Sequence, residues 1–286
     1  LNGINQKLKE MTATKPETTP YFPKYPPINT AGKDPELIKR GEYLTKAGDC
    51  IACHTNTLEK GTPFAGGLSM PTPFGIIYSP NITPDKETGI GNWTEEQFLT
   101  AMHKGIAPDG HYYYPAFPYL YFNKVTAEDI KAIKAYLDSV PAVKQKNLPN
   151  KMVWPFNQRL LQLPWRLLFF HPAKIYQAIP EESEPWKRGA YLVEGLGHCA
   201  MCHSPSYHIF TDKLPLGAPV QKYNLTGTKI QGYLAPNITK TNLRTISDEE
   251  IIDVFTKDRM IGVGHVEGSM LEVNHVCLNP LSRSDV

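Results

Sequence analysis

The 286-residue chain has almost no net charge: 30 Lys and Arg stand against 28 Asp and Glu, a formal +2. That balance excludes the basic face a nucleic-acid partner would need. Electrostatic docking is left to local patches, such as the lysines of "VKQKNLPNK" (143–151) against "EESE" (181–184). Long apolar runs are missing too, with no stretch approaching the ~18–20 residues of a membrane span. The longest apolar patch, "LLQLPWRLLFF" (160–170), is broken by Gln162, Pro164 and Arg166. It fits packing between two domains, or an amphipathic surface for a membrane or a partner subunit. Cysteine is scarce. Four of the five residues sit in two short signatures, which leaves nothing for a disulfide framework. The fifth, Cys277, reads as a small buried hydrophobe. The chain starts at Leu1 without Met or a signal peptide, so it is expected to follow a removed leader.

What is present is a pair of Cys-x-x-Cys-His signatures, "CIACH" (50–54) and "CAMCH" (199–203). Cys-x-x-Cys alone could be half a zinc site or a thioredoxin-like redox pair. With His directly after the second Cys, it reads as a c-type haem attachment site. Cys50 and Cys53, and Cys199 and Cys202, would form thioethers to two haem c groups, and His54 and His203 would bind iron from the proximal side. A c-type haem is attached outside the cytoplasm, which predicts a periplasmic protein. A length prior of roughly 150 residues per domain agrees with one haem module around each signature.

An internal repeat supports two modules. "KRGEYLTKAGDCIACH" (39–54) matches "KRGAYLVEGLGHCAMCH" (187–203) with one inserted residue, and "SPNITPD" (79–85) and "APNITKT" (235–241) follow. Capping boxes at Thr94–Gln97 and Ser247–Glu250 then open two helices. Their apolar stripes, Phe98 with Met102 and Ile251 with Phe255, fall at helical spacing. The predicted class is all-α: two tandem class I-type cytochrome c modules with long irregular loops. The division is an extended N-terminal strap (1–34), a first module (35–143), a proline-rich linker (144–184) and a second module (185–286). The first module closes with "VTAEDIKAIKAYLDSVPAV" (125–143). Aligned on Thr126/Ser282 and Asp129/Asp285, the sequence stops inside the first turn of the matching helix, so the natural protein is expected to continue.

Each iron needs a sixth ligand from a distant loop. The segment from Trp93 to Phe117 aligns without a gap to the segment from Ile246 to Met270, which makes Met270 the candidate for the second haem, with Met260 its local competitor. Phe117 stands at the matching place in the first module and cannot bind iron. The first distal site is then open, or filled by His111 or His103, with Met102 and Met70 weaker alternatives. The cluster Tyr112, Tyr113, Tyr114, Phe117, Tyr119 and Tyr121 reads as a hydrophobic lid that excludes water from the haem.

"YPAFPY" (114–119), "PFGIIYSPNITPDKETGIGNW" (73–93), "KAYL" (134–137) and the second "APNIT" resemble the multihaem cytochrome c subunits of membrane-bound alcohol, aldehyde and gluconate dehydrogenases. The resemblance covers about residues 35–286, and members commonly carry Met where Phe117 stands. It implies a periplasmic dihaem protein with a dehydrogenase or other donor, and a quinone or terminal oxidase as acceptor. Many members carry a third haem module and a membrane anchor, which implies association with the inner membrane. Electron transfer rather than catalysis by the chain itself is the expected function. The rival is a haem enzyme of peroxidase or thiosulfate-oxidising type working at an open first haem.

Overall fold

The computed structural model describes residues 20–172, 182–209, 214–230, 232–262 and 264–286. The first half is built on the helix Pro35–Ala47, where Asp34 caps the N–H groups of Glu36 and Leu37 and Pro35 presets the first turn. Its buried stripe, with Ile38, Leu44 and Ala47, packs on the helix Ala127–Leu137, which buries Ile130, Ile133, Tyr136 and Leu137. The two backbones touch at Gly41, where a Cβ would lie 1.8 Å from the Ala132 carbonyl oxygen. A glycine is required there for steric reasons alone. The helix Glu95–Lys104 begins at the expected Thr94–Gln97 capping box, buries Phe98 and Met102, and ends at Gly105 in the left-handed region.

The second half repeats these pieces with a looser interior. The helix Glu184–Tyr191 runs into π-type turns over Leu192–Leu196, and Asp248–Thr256 starts at the Ser247–Glu250 capping box. Ile251 and Phe255 are only half-buried. No described element lies over them as Ala127–Leu137 lies over Glu95–Lys104. Cys277 is buried as expected, its thiol donating to the Ala47 carbonyl of the other half.

The all-α expectation is overturned. Among the described residues, three antiparallel sheets lie among the helices: Ser69–Thr72, Gly75–Tyr78 and Lys151–Met152 in one, Ser206–Ile209 with Leu214–Pro219 in another, and Thr228–Ile230 with Tyr233–Ala235 in the third. The physical reason is that long loops carry many backbone donors and acceptors that must find partners. The β-branched run of "FGIIY" pairs across a tight turn, with Met70 opposite Ile77 and Gly75 at φ 127°. A reading based on helical periodicity passes over such short strands.

Residues 20–30 form no regular structure, and residues 1–19 of the expected strap lie outside the described residues. The strap ties both halves together: Asn29 N–H donates to the Ser139 carbonyl, and the Tyr25 hydroxyl to the Val276 carbonyl. Asp129 takes Arg40 from its own half and Tyr191 from the other, and Asp285 takes Arg188 and Tyr43 in the same way. In the linker, Gln162–Phe169 is a short helix, and residues 173–181 lie outside the described residues. The apolar patch packs between the halves only in part: Trp165 lies against Tyr119 of the first half and Phe169 against Tyr207 of the second, while Leu160, Leu163, Leu167 and Leu168 are exposed.

Candidate functional site

Each signature forms a single tight turn. The first is the helical turn Cys50–Cys53, and the second is Ala200–His203, with Cys199 at its start. The preceding residues, Asp49 (φ 52°) and His198 (φ 36°), both occupy the left-handed region, so the two turns are entered by the same backbone step. His54 N–H donates to the Cys50 carbonyl and His203 N–H to the Cys199 carbonyl, which carries each imidazole beside its two thiols.

The imidazoles are then oriented identically. His54 Nδ1 lies 2.8 Å from the Pro80 carbonyl and His203 Nδ1 lies 2.8 Å from the Pro236 carbonyl. A carbonyl only accepts, so Nδ1 carries the proton in both and Nε2 keeps its lone pair. The repeated Pro-Asn-Ile-Thr builds the support. Asn81 Oδ1 accepts from the Thr83 N–H and hydroxyl, and Asn237 Oδ1 accepts from the same two groups of Thr239. These turns fix the preceding proline carbonyls. Pro80 and Pro236 were not singled out from the sequence, although the repetition of their motif after each signature was the available signal.

This arrangement fits a covalently held haem. Two thiols on one turn beside an imidazole with a free, pre-oriented Nε2 are the donors such a group needs. The alternatives read from Cys-x-x-Cys fit less well. A reactive thiol pair needs a lowered pKa, whereas burial pushes Cys50 up to about 12 and Cys199 up to about 11. Among the described residues, no three His, Cys, Asp or Glu side chains converge as they would around a zinc ion.

The candidate distal residues are dispersed. His103 Nε2 is 2.7 Å from the Val125 carbonyl, and His111 Nδ1 is 2.6 Å from Asp109 Oδ1 at the surface. Met102 is buried in the helical core and Met70 lies half-buried in a strand. Met260 is exposed, while Met270 is half-buried in the helix Ser269–Val273. That helix also carries Glu272, whose carboxyl burial raises, and which lies close enough to the first signature to raise Asp49.

The aromatic cluster does more than cover one site. Edge-to-face contacts run from His111 to Tyr113, Phe117, Phe122 and His198, with ring centroids 5.3, 5.4, 5.6 and 5.9 Å apart. His198 belongs to the second signature, so the rings of the first half reach the attachment turn of the second. Burial holds the His198 imidazole neutral, at about 4, with the Gly48 carbonyl facing it from the first signature. The two turns therefore meet back to back, and a Cβ on Gly48 would lie 3.3 Å from Leu196. Sequence reading placed both signatures without showing that they adjoin.

Residues 38–141 match the cytochrome c family model. The chain is 44% identical over 209 residues to the gluconate 2-dehydrogenase cytochrome c subunit of Pantoea cypripedii, covering 72% of this chain and 47% of that one. It is 40% identical over 245 residues to the cytochrome c subunit of the quinone alcohol dehydrogenase of Gluconobacter oxydans, covering 84% and 50%. It is 39% identical over 184 residues to a diheme cytochrome c-type protein of Cereibacter sphaeroides, covering 60% and 61%. The chain thus spans about half the length of the two dehydrogenase subunits.

Proposed function

We propose that this chain, which carries a cytochrome c domain and is related to the cytochrome c subunits of dehydrogenases, is a periplasmic two-haem electron carrier. A cytochrome c domain implies covalently bound haem c, and a cytochrome subunit of a dehydrogenase acts by electron transfer. The finer reading is ours: Cys50 and Cys53 hold one haem, Cys199 and Cys202 the other, and His54 and His203 are the proximal ligands. Electrons come from a dehydrogenase and leave for quinone or a terminal oxidase.

The observation that carries the reading is the twin contact of His54 with Pro80 and His203 with Pro236. One orientated imidazole could be incidental; two at matching places of a repeat are a design used twice. The haem supplies the one-electron redox change, and the chain supplies attachment, orientation and shielding. Each proline carbonyl holds its imidazole in one tautomer and raises its basicity as a ligand. The Tyr and Phe rings exclude water, which sets the local dielectric. The back-to-back turns bring the two attachment points together, as a carrier that passes electrons internally requires.

An enzymatic role at the first site has less support, because His111 is paired with Asp109 and His103 with the Val125 carbonyl. The test is a count. Chain produced in a host with c-type haem maturation should keep the mass of two haems after acid–acetone extraction. The paired change Cys199→Ala and Cys202→Ala should leave one haem. Release of free haem from the unaltered chain, or retention of only one, overturns the proposal.

A further inference from the structure

The helix Gln162–Phe169 and the turn Arg159–Leu161 before it turn their leucines away from the protein. Their outward face is leucine: Leu160 is 73% exposed, Leu167 74% and Leu168 66%, with Leu161 and Leu163 also open to solvent; Trp154, six residues before Leu160, is 79% exposed. Their inward face is aromatic and polar: the Trp165 ring packs on Tyr119 and the Phe169 ring on Tyr207. Gln162 Oε1 and Arg166 Nη1 are buried without a hydrogen-bond partner. The Arg166 guanidinium lies over the rings of Tyr112, Tyr119 and Phe170, and Arg159 lies 4.0 Å over Tyr114 while donating to the Tyr112 carbonyl. An amphipathic helix in water turns its apolar stripe inward. Here the protein covers Trp165 and Phe169, and a second apolar face of leucines is left open, which marks a surface for an outer surrounding less polar than water.

Charge selects the occupant. From Ser139 to Pro180 the sequence holds no Asp or Glu, but it holds Lys144, Lys146, Lys151, Arg159, Arg166 and Lys174. Lys146 and Lys151 have no acidic partner among the ion pairs of the described residues. Exposed leucines and tryptophan within a purely cationic segment match an interfacial helix lying on anionic lipid. The helix has eight residues, and no described helix is long and apolar enough to cross a membrane, so this segment lies on the surface.

We infer that residues 153–170 dock this protein on an anionic phospholipid bilayer, with Trp154, Leu160, Leu167 and Leu168 entering the headgroup boundary. This surface is separate from the thiol and imidazole sites and does not depend on the haem reading.

The test is flotation of the haem-loaded full chain with vesicles of phosphatidylcholine alone or mixed equally with phosphatidylglycerol. The chain should float with the anionic vesicles, and the flotation should weaken at high salt. The triple change Leu160→Gln, Leu167→Gln and Leu168→Gln should abolish it, with the visible spectrum and thermal melting retained. If that variant melts early, Trp154→Gln alone should still reduce flotation. Absence of flotation, equal flotation with neutral vesicles, or unchanged flotation in the triple variant overturns the inference. So does a triple variant that loses self-association in sedimentation while floating normally, because the face would then belong to a second copy.

Discussion

Tyr191 donates its hydroxyl to Asp129 Oδ2 at 2.6 Å across the boundary between the halves, and Tyr43 makes the same contact with Asp285 Oδ2, also at 2.6 Å. The hydroxyls accept in matching fashion, from the Thr126 N–H and the Ser282 N–H at 3.1 Å each. All six residues occupy matching places in the repeat, so the halves exchange equivalent contacts about an approximate twofold. The same exchange sets the two signature turns back to back.

Glycine at matching places has unequal work. Gly41 meets the Ala132 carbonyl, while Gly189, within the helix Glu184–Tyr191, has nothing within 4 Å. Gly41→Ala forces two helices apart and should cost about 3 kcal/mol or more. Gly189→Ala should stabilise by about 0.5–1 kcal/mol through helix propensity. Denaturant unfolding of both variants checks this, and equal effects would refute the packing difference.

Acid should act through Asp285. Its hydrogen bond to Arg188 holds its carboxyl below the usual range, with Tyr43 helping. A carboxyl depressed in the folded state stabilises above its unfolded value of about 4 and loses that contribution as pH falls through the folded value. Arg188 is 38% exposed, so water screens the pair, and Asp285→Asn should cost only about 1 kcal/mol at pH 7. That difference from the unaltered chain should shrink below pH 4. A deficit constant from pH 7 to pH 3 would show that the charge is not involved.

The two asparagines behind the proline carbonyls should differ in importance. Buried Asn81 also donates to the Val143 carbonyl and to Thr88, whereas Asn237 is half-buried and its Oδ1 accepts from Thr239. Asn81→Ala should cost about 2–3 kcal/mol and Asn237→Ala about 1 kcal/mol. If the proline carbonyls orient the proximal ligands, each change should alter the spectrum of one haem only.

Met270 as distal ligand of the second haem is a proposal that a spectrum can test. A thioether on ferric haem c produces a weak near-infrared band and raises the potential. Met270→Ala should remove that band with both haems retained. Survival of the band there, and its loss in Met260→Ala, would reassign the ligand.

The sequence by itself determined what is written in covalent spacing or local periodicity. The Cys-x-x-Cys-His signatures, the repeat and both capping boxes were legible because each depends on residues a few positions apart. The burial of Cys277 was legible from its chemistry. The strands were not, because the pairing of Gly75–Tyr78 with Lys151–Met152 depends on a distant partner. Nor was the outward turn of Leu160, Leu167 and Leu168, because periodicity defines an apolar stripe without saying which way it points. Tertiary structure alone decided that the Pro80 and Pro236 carbonyls orient the imidazoles, since a backbone oxygen has no side-chain signature. It also decided that His198 meets Phe122 and faces Gly48, because contacts across a twofold join residues far apart in the chain, where no local rule reaches.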